Sequence, residues 1–431
     1  MYRKIMPWLE AWKVNEHRKP LILQGARQVG KTYAILEFGR TYYENVAYFN
    51  FETNPRLNET FEENISPDYL IPILSHIAGQ TIVREKTLIV FDEVQLCERA
   101  LTSLKYFCED APDYHIIVAG SLLGVAVNRA KFSFPVGKVD MKTLYPMDME
   151  EFMLALGEDE LVGLIRQHFE TNAPMPSALH DKAMQLYRQY LVVGGMPECV
   201  MQYVNTKDFI LVRHTQDTIL ASYLNDMSKY NTQNEIKKTR LAYDNITVQL
   251  SRKNTRFQYK LIKKGGRASE FENAIEWLTL SGIVSQVYKV EQIMKPLENY
   301  RDIDSFKIYV SDLGLLCAKK DLAANDVLYM VEELNDFKGG MTENYVNTHL
   351  CMNEYKTYYW ESDRGAEIDF IIQRDGKLIP IEVKAADNTR AKSLKVYMDT
   401  YHPEYAIKLS AKNFGFEDNK KIVPLYAVFC V

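Results

Sequence analysis

The sequence predicts a multidomain α/β protein, and its length, composition and pattern of strands and helices support that prediction. The chain has 431 residues, more than a single hydrophobic core usually organises, so two to four domains are expected. Apolar residues make up 47% of it, and short apolar runs alternate with helical patterns near the start. The net charge is only -5, so any contact with nucleic acid must come from a local patch.

The N-terminal part, residues 1–157, is predicted to form a parallel sheet covered by helices. Helical patterns follow the candidate strands at 32–38 and 100–109. Buried apolar strands that alternate with helices are typical of parallel sheets, because each crossover helix covers one face. The candidate strands are 20–24, 46–52, 87–92 and 115–120.

Three further parts are predicted along the chain. Residues 158–234 are mostly helical around a turn at Gly194-Gly195-Met196-Pro197, and we interpret them as a helical lid. Residues 235–325 combine helices with two strands, 283–290 and 306–310, which suggests a winged helix. Residues 326–431 alternate strands and helices and therefore predict a small α/β domain.

A glycine-rich turn follows the first candidate strand and opens a helix. Its pattern is G-x-x-x-x-G-K-T, in which the glycines let backbone N–H groups curl around phosphate oxygens. Lys31 is expected to place a positive charge beside the β- and γ-phosphates of ATP, and the Thr32 hydroxyl to ligate Mg²⁺. The residues expected to bind the triphosphate are Gly25, Ala26, Arg27, Gln28, Val29, Gly30, Lys31 and Thr32.

A second element of the nucleotide site is the apolar strand that ends in Asp92-Glu93. Asp92 is expected to hold Mg²⁺, and Glu93 to polarise the attacking water. The sequence therefore predicts hydrolysis of ATP and not binding alone. Ser121, after the next strand, is expected either to sense the γ-phosphate or to cap the following turn. Arg27 and Arg129 are candidates for an arginine finger.

A hairpin is predicted in the last part, where Asp375-Gly376 stands between two apolar runs. A two-residue loop there pairs Arg374 with Lys377 and, further out, Asp369 with Glu382. Two carboxylates that face each other across a ladder repel, so something should offset that cost. A divalent metal with oxygen ligands would do so, and a second Mg²⁺ or Mn²⁺ is a hypothesis for this domain.

Two outcomes are open for this hairpin. In the first, Lys384 stabilises a developing phosphate charge or positions water beside the two acids. In the second, the acids only form ion pairs, Glu367 with Lys384 and Glu382 with Arg364.

The chain resembles a prokaryotic family of AAA-type P-loop ATPases. The resemblance covers nearly the whole chain. The runs that carry it are 24–32, 91–95 and 119–124, with Leu144-Tyr145-Pro146, 150–152 and 194–198. Members of that family carry a C-terminal domain of uncharacterised function. The resemblance implies binding and hydrolysis of ATP but no particular substrate.

The last part of the chain also resembles the restriction-endonuclease-like, or PD-(D/E)xK, superfamily. Asp369 and Glu382-Val383-Lys384 on a hairpin match the catalytic core of that superfamily, and Glu343 matches its helical acid. The resemblance implies catalytic roles for Asp369, Glu382 and Lys384. It implies metal binding by Glu343, Asp369 and Glu382. Relatives of this fold that bind without cleaving are the alternative.

A basic stretch, 237–267, coincides with the predicted winged helix. It holds ten lysines and arginines and a single acid, Asp244, so it is a candidate for contact with DNA phosphates. Acids in the following helix, among them Glu272 and Glu276, argue for backbone contact over base readout. The alternative is a solvated face or a surface that docks an acidic neighbouring domain.

The remaining composition predicts a cytoplasmic protein. The six cysteines show no zinc spacing, and no apolar run approaches the ~20 residues that span a membrane. The leading hypothesis is an ATP-hydrolysing protein that acts on nucleic acid through a nuclease-like domain. The rival is an ATP-switched binding protein whose last domain is inactive. The oligomeric state stays open.

Overall fold

The computed structural model describes residues 1–120, 135–229, 233–251, 256–385 and 392–431. They form two compact units. The first unit comprises Tyr2–Tyr145 and Leu280–Gly282, and the second comprises Met1, Pro146–Thr279 and Ile283–Val431. The finer division of the chain into four parts stays a prediction.

A five-stranded parallel sheet forms the centre of the first unit, as the sequence predicted. Because all strands run in the same direction, their carboxyl ends meet at one edge, where ligands of such sheets bind. The edge strand β5 was not predicted, since it has no apolar run. In spatial order the strands are β2 (Asn45–Asn50), β3 (Thr87–Asp92), β4 (His115–Ala119), β1 (Leu21–Gln24) and β5 (Asp140–Thr143).

Helices cover this sheet and bury aromatic side chains against it. Phe91 of β3 packs edge-on against Phe49 and Phe61, with ring centroids 6.0 Å and 5.5 Å apart. Such contacts add to the stabilisation that burial provides. The helices are α1 (Ile5–Val14), α2 (Lys31–Tyr42), α3 (Leu57–Glu63), α4 (Pro67–Ala78) and α5 (Glu98–Asp110).

The second unit begins with a run of helices. The predicted turn at residues 194–197 is confirmed, because α8 ends at Val193 and α9 begins at Pro197. Asp312 holds this turn by accepting a hydrogen bond from the Gly195 N–H at 2.6 Å. The helices are α6 (Met149–Ala155), α7 (Asp159–Thr171), α8 (Ser177–Val193), α9 (Pro197–Thr206), α10 (Phe209–Lys229), α11 (Gln233–Leu250), α12 (Tyr259–Ile262) and α13 (Ala268–Leu280).

An eight-stranded mixed sheet completes the second unit. The strand pair that the sequence assigned to a winged helix is continuous with the C-terminal strands, because β6 pairs in parallel with β8 at Tyr288–Tyr358. In spatial order the strands are β12 (Gly415–Glu417), β13 (Lys420–Pro424), β11 (Ala406–Ser410), β10 (Lys377–Val383), β9 (Glu367–Arg374), β8 (Tyr358–Glu361), β6 (Val284–Val290) and β7 (Arg301–Val310).

The predicted hairpin and its register are confirmed. Lys377 pairs with Arg374, and the ladder continues to Ile381 and Phe370, which leaves Asp369 and Glu382 as the next residues in register. Asp375 and Gly376 have φ of 49° and 72°, the left-handed values that a two-residue hairpin loop requires.

Four more helices accompany the sheet of the second unit. The side-chain amide of Asn344 on α16 donates to the Val310 carbonyl at 2.8 Å and accepts from the Val310 N–H at 2.8 Å, which fixes α16 on β7. No helix within the described ranges has the length and hydropathy needed to cross a membrane. The four helices are α14 (Leu313–Lys319), α15 (Ala324–Tyr329), α16 (Asn335–Met352) and α17 (Lys392–Tyr401).

Candidate functional site

The glycine-rich loop connects β1 to α2 at the carboxyl edge of the parallel sheet, where the sequence placed it. Gly25 has a φ of 145°, and a Cβ on it would lie 2.2 Å from the Leu144 carbonyl oxygen. Gly30 has a φ of 92° at the start of α2. Glycine is therefore required at both ends of the loop, because other residues would clash or strain the backbone.

Lys31 is the first residue of α2 and is only 8% exposed. Its ammonium donates hydrogen bonds to the carbonyl oxygens of Gly25 and Ala26, both at 2.8 Å. These bonds hold the positive charge against the loop. Elsewhere in the loop, Val29 is buried, and Arg27 and Gln28 are half-buried.

Asp92 and Thr32, which the sequence predicted as partners of Mg²⁺, lie together. Asp92 is buried, and its Oδ2 accepts hydrogen bonds from Thr32 Oγ1 at 2.9 Å and from the Tyr48 hydroxyl at 2.7 Å. Burial is the main cause that raises the pKa of Tyr48 to about 12, so this hydroxyl stays a donor. The sequence did not predict this contact, because nothing in the pattern of β2 indicates that the Tyr48 hydroxyl reaches Asp92.

Glu93, the residue predicted to polarise water, adopts a left-handed backbone conformation with a φ of 51°. This conformation is unfavourable for any residue that carries a Cβ, and such strain is concentrated at functional sites. The side-chain amide of Gln95 donates to the Glu93 carboxylate and limits its rotation. Gln95 belongs to the run 91–95 that carries the family resemblance, but the sequence predicted no role for it.

Arg3 connects the loop to the end of the first unit. Its guanidinium donates to the carbonyl oxygens of Val29 at 3.0 Å and Tyr145 at 2.7 Å, and the residue is 7% exposed. No sequence signal identified Arg3, because its partners are distant in the chain. Ser121 and Arg129, the predicted γ-phosphate sensor and arginine finger, lie outside the described residues.

The predicted carboxylates of the C-terminal sheet are also brought together. Asp369 of β9 and Glu382 of β10 are buried, and Asp369 Oδ2 accepts a hydrogen bond from the Val383 N–H at 2.7 Å. Burial, followed by the charges of Glu343 and Glu382, raises the pKa of Asp369 well above its usual range. Burial also raises the pKa of Glu382, against the opposing effect of Lys384.

A buried cation that the sequence analysis missed, Lys307 of β7, lies among these acids. It is 2% exposed, and its Nζ is 2.5 Å from Glu367 Oε1 and 3.4 Å from Glu343 Oε2. Burial opposes its charge, but Glu343 and the other acids outweigh burial and raise the pKa of Lys307 well above its usual range. The Tyr309 hydroxyl also donates to Glu343 Oε2, at 2.9 Å.

The ion pairs differ from those that the sequence suggested. Glu382 pairs with Lys384 instead of Arg364, and Glu367 pairs with Lys307 instead of Lys384. The physical reason is that β7 lies in the same sheet as β9 and β10, so it supplies a cation that local sequence could not reveal.

The metal site expected at Glu343, Asp369 and Glu382 is not supported. Across the residues that the structure describes, no three His, Cys, Asp or Glu side chains are grouped so that they could hold a metal ion. The oxygens of Glu343 and Glu382 contact Lys307 and Lys384, so internal cations offset the repulsion that a metal was invoked to relieve.

The basic stretch lies on α11, α12 and the segment before α13, with Arg252 and Lys253 outside the described residues. Lys263 forms an ion pair with Glu270 at 3.2 Å, and the single acid of the stretch, Asp244, pairs with Lys319 at 2.6 Å. Several bases are exposed to solvent, namely Lys237, Arg240, Arg256, Lys260, Lys263, Lys264 and Arg267.

Three parts of the chain match known family models. Residues 17–153 match the family model of an AAA domain, and they contain the glycine-rich loop and Asp92. This part of the chain is therefore similar to AAA-type P-loop domains. Two domains of unknown function match the rest of the chain, DUF8612 over residues 184–326 and DUF4143 over residues 338–428. No curated protein matches the chain significantly.

Several solved structures are similar to the chain at low identity. The Walker-type ATPase PABY2304 of Pyrococcus abyssi is 14% identical, with 73% of this chain and 94% of that chain covered and a TM-score of 0.45. The Aeropyrum pernix ORC2 protein is 12% identical, with 79% and 95% covered and a TM-score of 0.34. The Thermotoga maritima RuvB Holliday junction branch migration motor is 15% identical, with 65% and 87% covered and a TM-score of 0.28.

Proposed function

We propose that the chain binds ATP with Mg²⁺ at residues 25–32 and hydrolyses it. The observation that carries this proposal is the hydrogen bond of 2.9 Å between Thr32 and the buried Asp92. It joins the start of α2 to the end of β3, so a hydroxyl and a carboxylate lie together beside the loop. Oxygen ligands of this kind suit Mg²⁺, which would neutralise phosphate charge when bound.

The residues of the loop have separate roles in this proposal. Backbone N–H groups of residues 25–32 and the N-terminus of α2 hold phosphate oxygens. Lys31 exchanges its bonds to the neutral Gly25 and Ala26 carbonyls for stronger, charge-assisted bonds to phosphate. Ser121 remains a proposed contact of the γ-phosphate.

Glu93 carries the hydrolytic step in this proposal. Its carboxylate orients the attacking water and accepts a proton from it, and Gln95 keeps the carboxylate in place. The left-handed backbone of Glu93 fits this role, because strained backbone conformations are concentrated at functional sites.

The test uses the full-length chain and two variants. Lys31→Ala should lose nucleotide affinity, measured with a fluorescent ATP analogue. Glu93→Gln should bind ATP normally but release phosphate about 10²–10⁴ times more slowly, because it lacks the proton acceptor. Glu85→Gln is a matched control, since Glu85 is also left-handed, with a φ of 60°, but is exposed and outside the proposed site. Normal turnover in Glu93→Gln would remove Glu93 from the mechanism.

A second candidate function is cleavage of DNA by the C-terminal part of the chain. The observation that favours it is that Asp369, Glu382 and Lys384 lie together with Glu343 close by. In this candidate, residues 326–431 have a restriction-endonuclease-like fold, and a winged helix in 235–325 presents the basic stretch to DNA in the cytoplasm. Because the acids form no three-ligand metal group among the described residues, we derive no step through Mg²⁺ or Mn²⁺.

Cleavage can be tested on linear, branched and single-stranded DNA, with Mg²⁺ or Mn²⁺ and with or without ATP. Cutting by the wild type that is lost in Asp369→Asn supports the nuclease. Asp375→Asn is the matched control, because Asp375 is exposed at the hairpin tip, where asparagine is equally suitable. If the wild type cuts none of these substrates, the ATP-switched binding protein is the better description.

A further inference from the structure

A cavity of about 500 Å³ lies in the second unit, beyond the carboxyl ends of two parallel strands. Ala385 follows β10 and Ala411 follows β11, and both residues line the cavity. Another wall is the beginning of α16, through Lys338 and Thr342. The carboxyl ends of parallel strands and the first turns of a helix are places where α/β proteins bind ligands.

The cavity is positively charged. Arg188 and Lys338 line it, and among the lining residues that the structure describes there is no carboxylate. Lys338 donates to the Asn335 side chain at 3.0 Å and to the Met330 carbonyl. In the part of the chain that the structure describes, neither cation has an acidic partner. Two cations that share a partly enclosed space without counter-charge are unfavourable, so the cavity favours an anion.

A buried hydroxyl adds a hydrogen-bond donor to this site. Tyr187 lines the cavity and is 2% exposed, and its hydroxyl has no hydrogen-bond partner within the described ranges. The Thr342 hydroxyl lies near it and donates its own proton to the Lys338 carbonyl at 2.7 Å, while its oxygen keeps a lone pair for the Tyr187 proton, so a bound phosphate competes with Thr342 for that proton. Buried polar groups are usually paired, and one that is not requires an explanation such as a ligand.

The rest of the lining is apolar and includes two thioethers. Met184, Met330 and Leu425 contribute side chains to the cavity. Methionine adapts its shape and makes favourable contacts with aromatic rings. The size lies within the range of about 300–1,000 Å³ that is typical of small-molecule sites. The cavity therefore combines a place for an anion with a place for a flat ring.

We propose that this cavity binds a nucleoside phosphate monoester, with the phosphate at Arg188, Lys338 and Tyr187 and the nucleoside against Met184 and Met330. The same chemistry is present in a free nucleoside monophosphate and in the 5′-phosphorylated end of a DNA strand. The site lies in the second unit and uses none of the residues proposed for ATP hydrolysis. The proposal can therefore be tested independently of that function.

The experiment uses the full-length Lys31→Ala chain, in which we expect no binding at the glycine-rich loop. Isothermal titration calorimetry is performed with the four common nucleoside monophosphates, with inorganic phosphate and with a short 5′-phosphorylated oligonucleotide. We expect at least one nucleotide or the oligonucleotide to bind about tenfold more tightly than phosphate alone. Tighter binding of a nucleoside monophosphate or of the oligonucleotide shows which of the two supplies the phosphate group.

Three added substitutions make the result specific. Arg188→Gln and Lys338→Gln should each weaken binding about tenfold, the size of one lost charge-assisted contact. Arg364→Gln, at an exposed arginine in the same unit, should leave it unchanged. Because Arg188 has no ion pair to lose among the described residues, Arg188→Gln should remain folded by circular dichroism. Absence of binding at millimolar ligand, or binding by both cavity variants as tight as that of the Lys31→Ala parent, overturns the proposal.

Discussion

Replacing Lys307 with methionine should strongly destabilise the second unit. Methionine keeps most of the aliphatic stem but removes the ammonium that contacts Glu343 at 3.4 Å and Glu367 at 2.5 Å. Removing one partner of a buried ion pair costs about 3–5 kcal/mol, because the remaining charge is left without compensation. The Glu367 side chain is 40% exposed, and solvent screens its share, so we expect the lower end, about 3 kcal/mol.

The loss should depend on pH in a defined direction. The folded-state pKa of Lys307 is raised, so its own contribution is complete below the unfolded value of about 10.4 and is lost only as pH rises through the higher folded value. The acids behave differently. The folded-state pKa of Asp369 is already raised and should rise further without Lys307. As pH falls, Asp369 therefore takes up a proton in the folded variant, which removes one uncompensated negative charge and restores part of its free energy of unfolding. The destabilisation should therefore be larger at pH 8 than at pH 5.

Urea unfolding at pH 5 and pH 8, followed by circular dichroism and tryptophan fluorescence, measures both effects. Lys377→Met is the matched control, since Lys377 forms an exposed ion pair with Glu404 on the surface and should change little. The double variant Lys307→Met/Glu343→Gln should recover part of the loss, because the uncompensated charge is removed. A loss below about 1 kcal/mol, or the same loss at both pH values, would refute the buried ion network.

Two further predictions concern backbone geometry and a buried acid. Gly25→Ala should abolish ATP-dependent thermal stabilisation of the chain, since the new Cβ would lie 2.2 Å from the Leu144 carbonyl oxygen; Gly163→Ala, whose Cβ meets nothing within 4 Å, should not. Normal ATP-dependent stabilisation in Gly25→Ala would contradict the close approach. Asp312 has its pKa raised to about 6, chiefly by burial, so the folded state retains a proton that the unfolded state releases. Stability should fall by about 3 kcal/mol as pH rises from about 4 to 6, and Asp312→Asn should lack this slope in urea titrations. An identical slope in both proteins would show that other groups cause it.

Local signals explain why the sequence located the glycine-rich loop and the strand end beside it. The apolar run of β3 ends in Asp92, and Gly25 and Gly30 stand where only glycine tolerates the backbone conformation. Chain position alone thus placed Thr32 and Asp92 at the same edge, because parallel strands align their carboxyl ends. Tyr48 and Arg3 escaped detection, since their roles come from neighbours that fold next to them.

The sequence by itself determined the parallel sheet of the first unit, the glycine-rich loop and the register of the hairpin at Asp375-Gly376. Each depends on a few adjacent residues whose backbone preferences or apolar periodicity act locally. Only the tertiary structure decided that β6 joins β8, and hence that Lys307 enters the acidic cluster of the C-terminal sheet. Strand pairing between distant segments has no local signature, so the cation that neutralises buried carboxylates was hidden until the sheet was assembled.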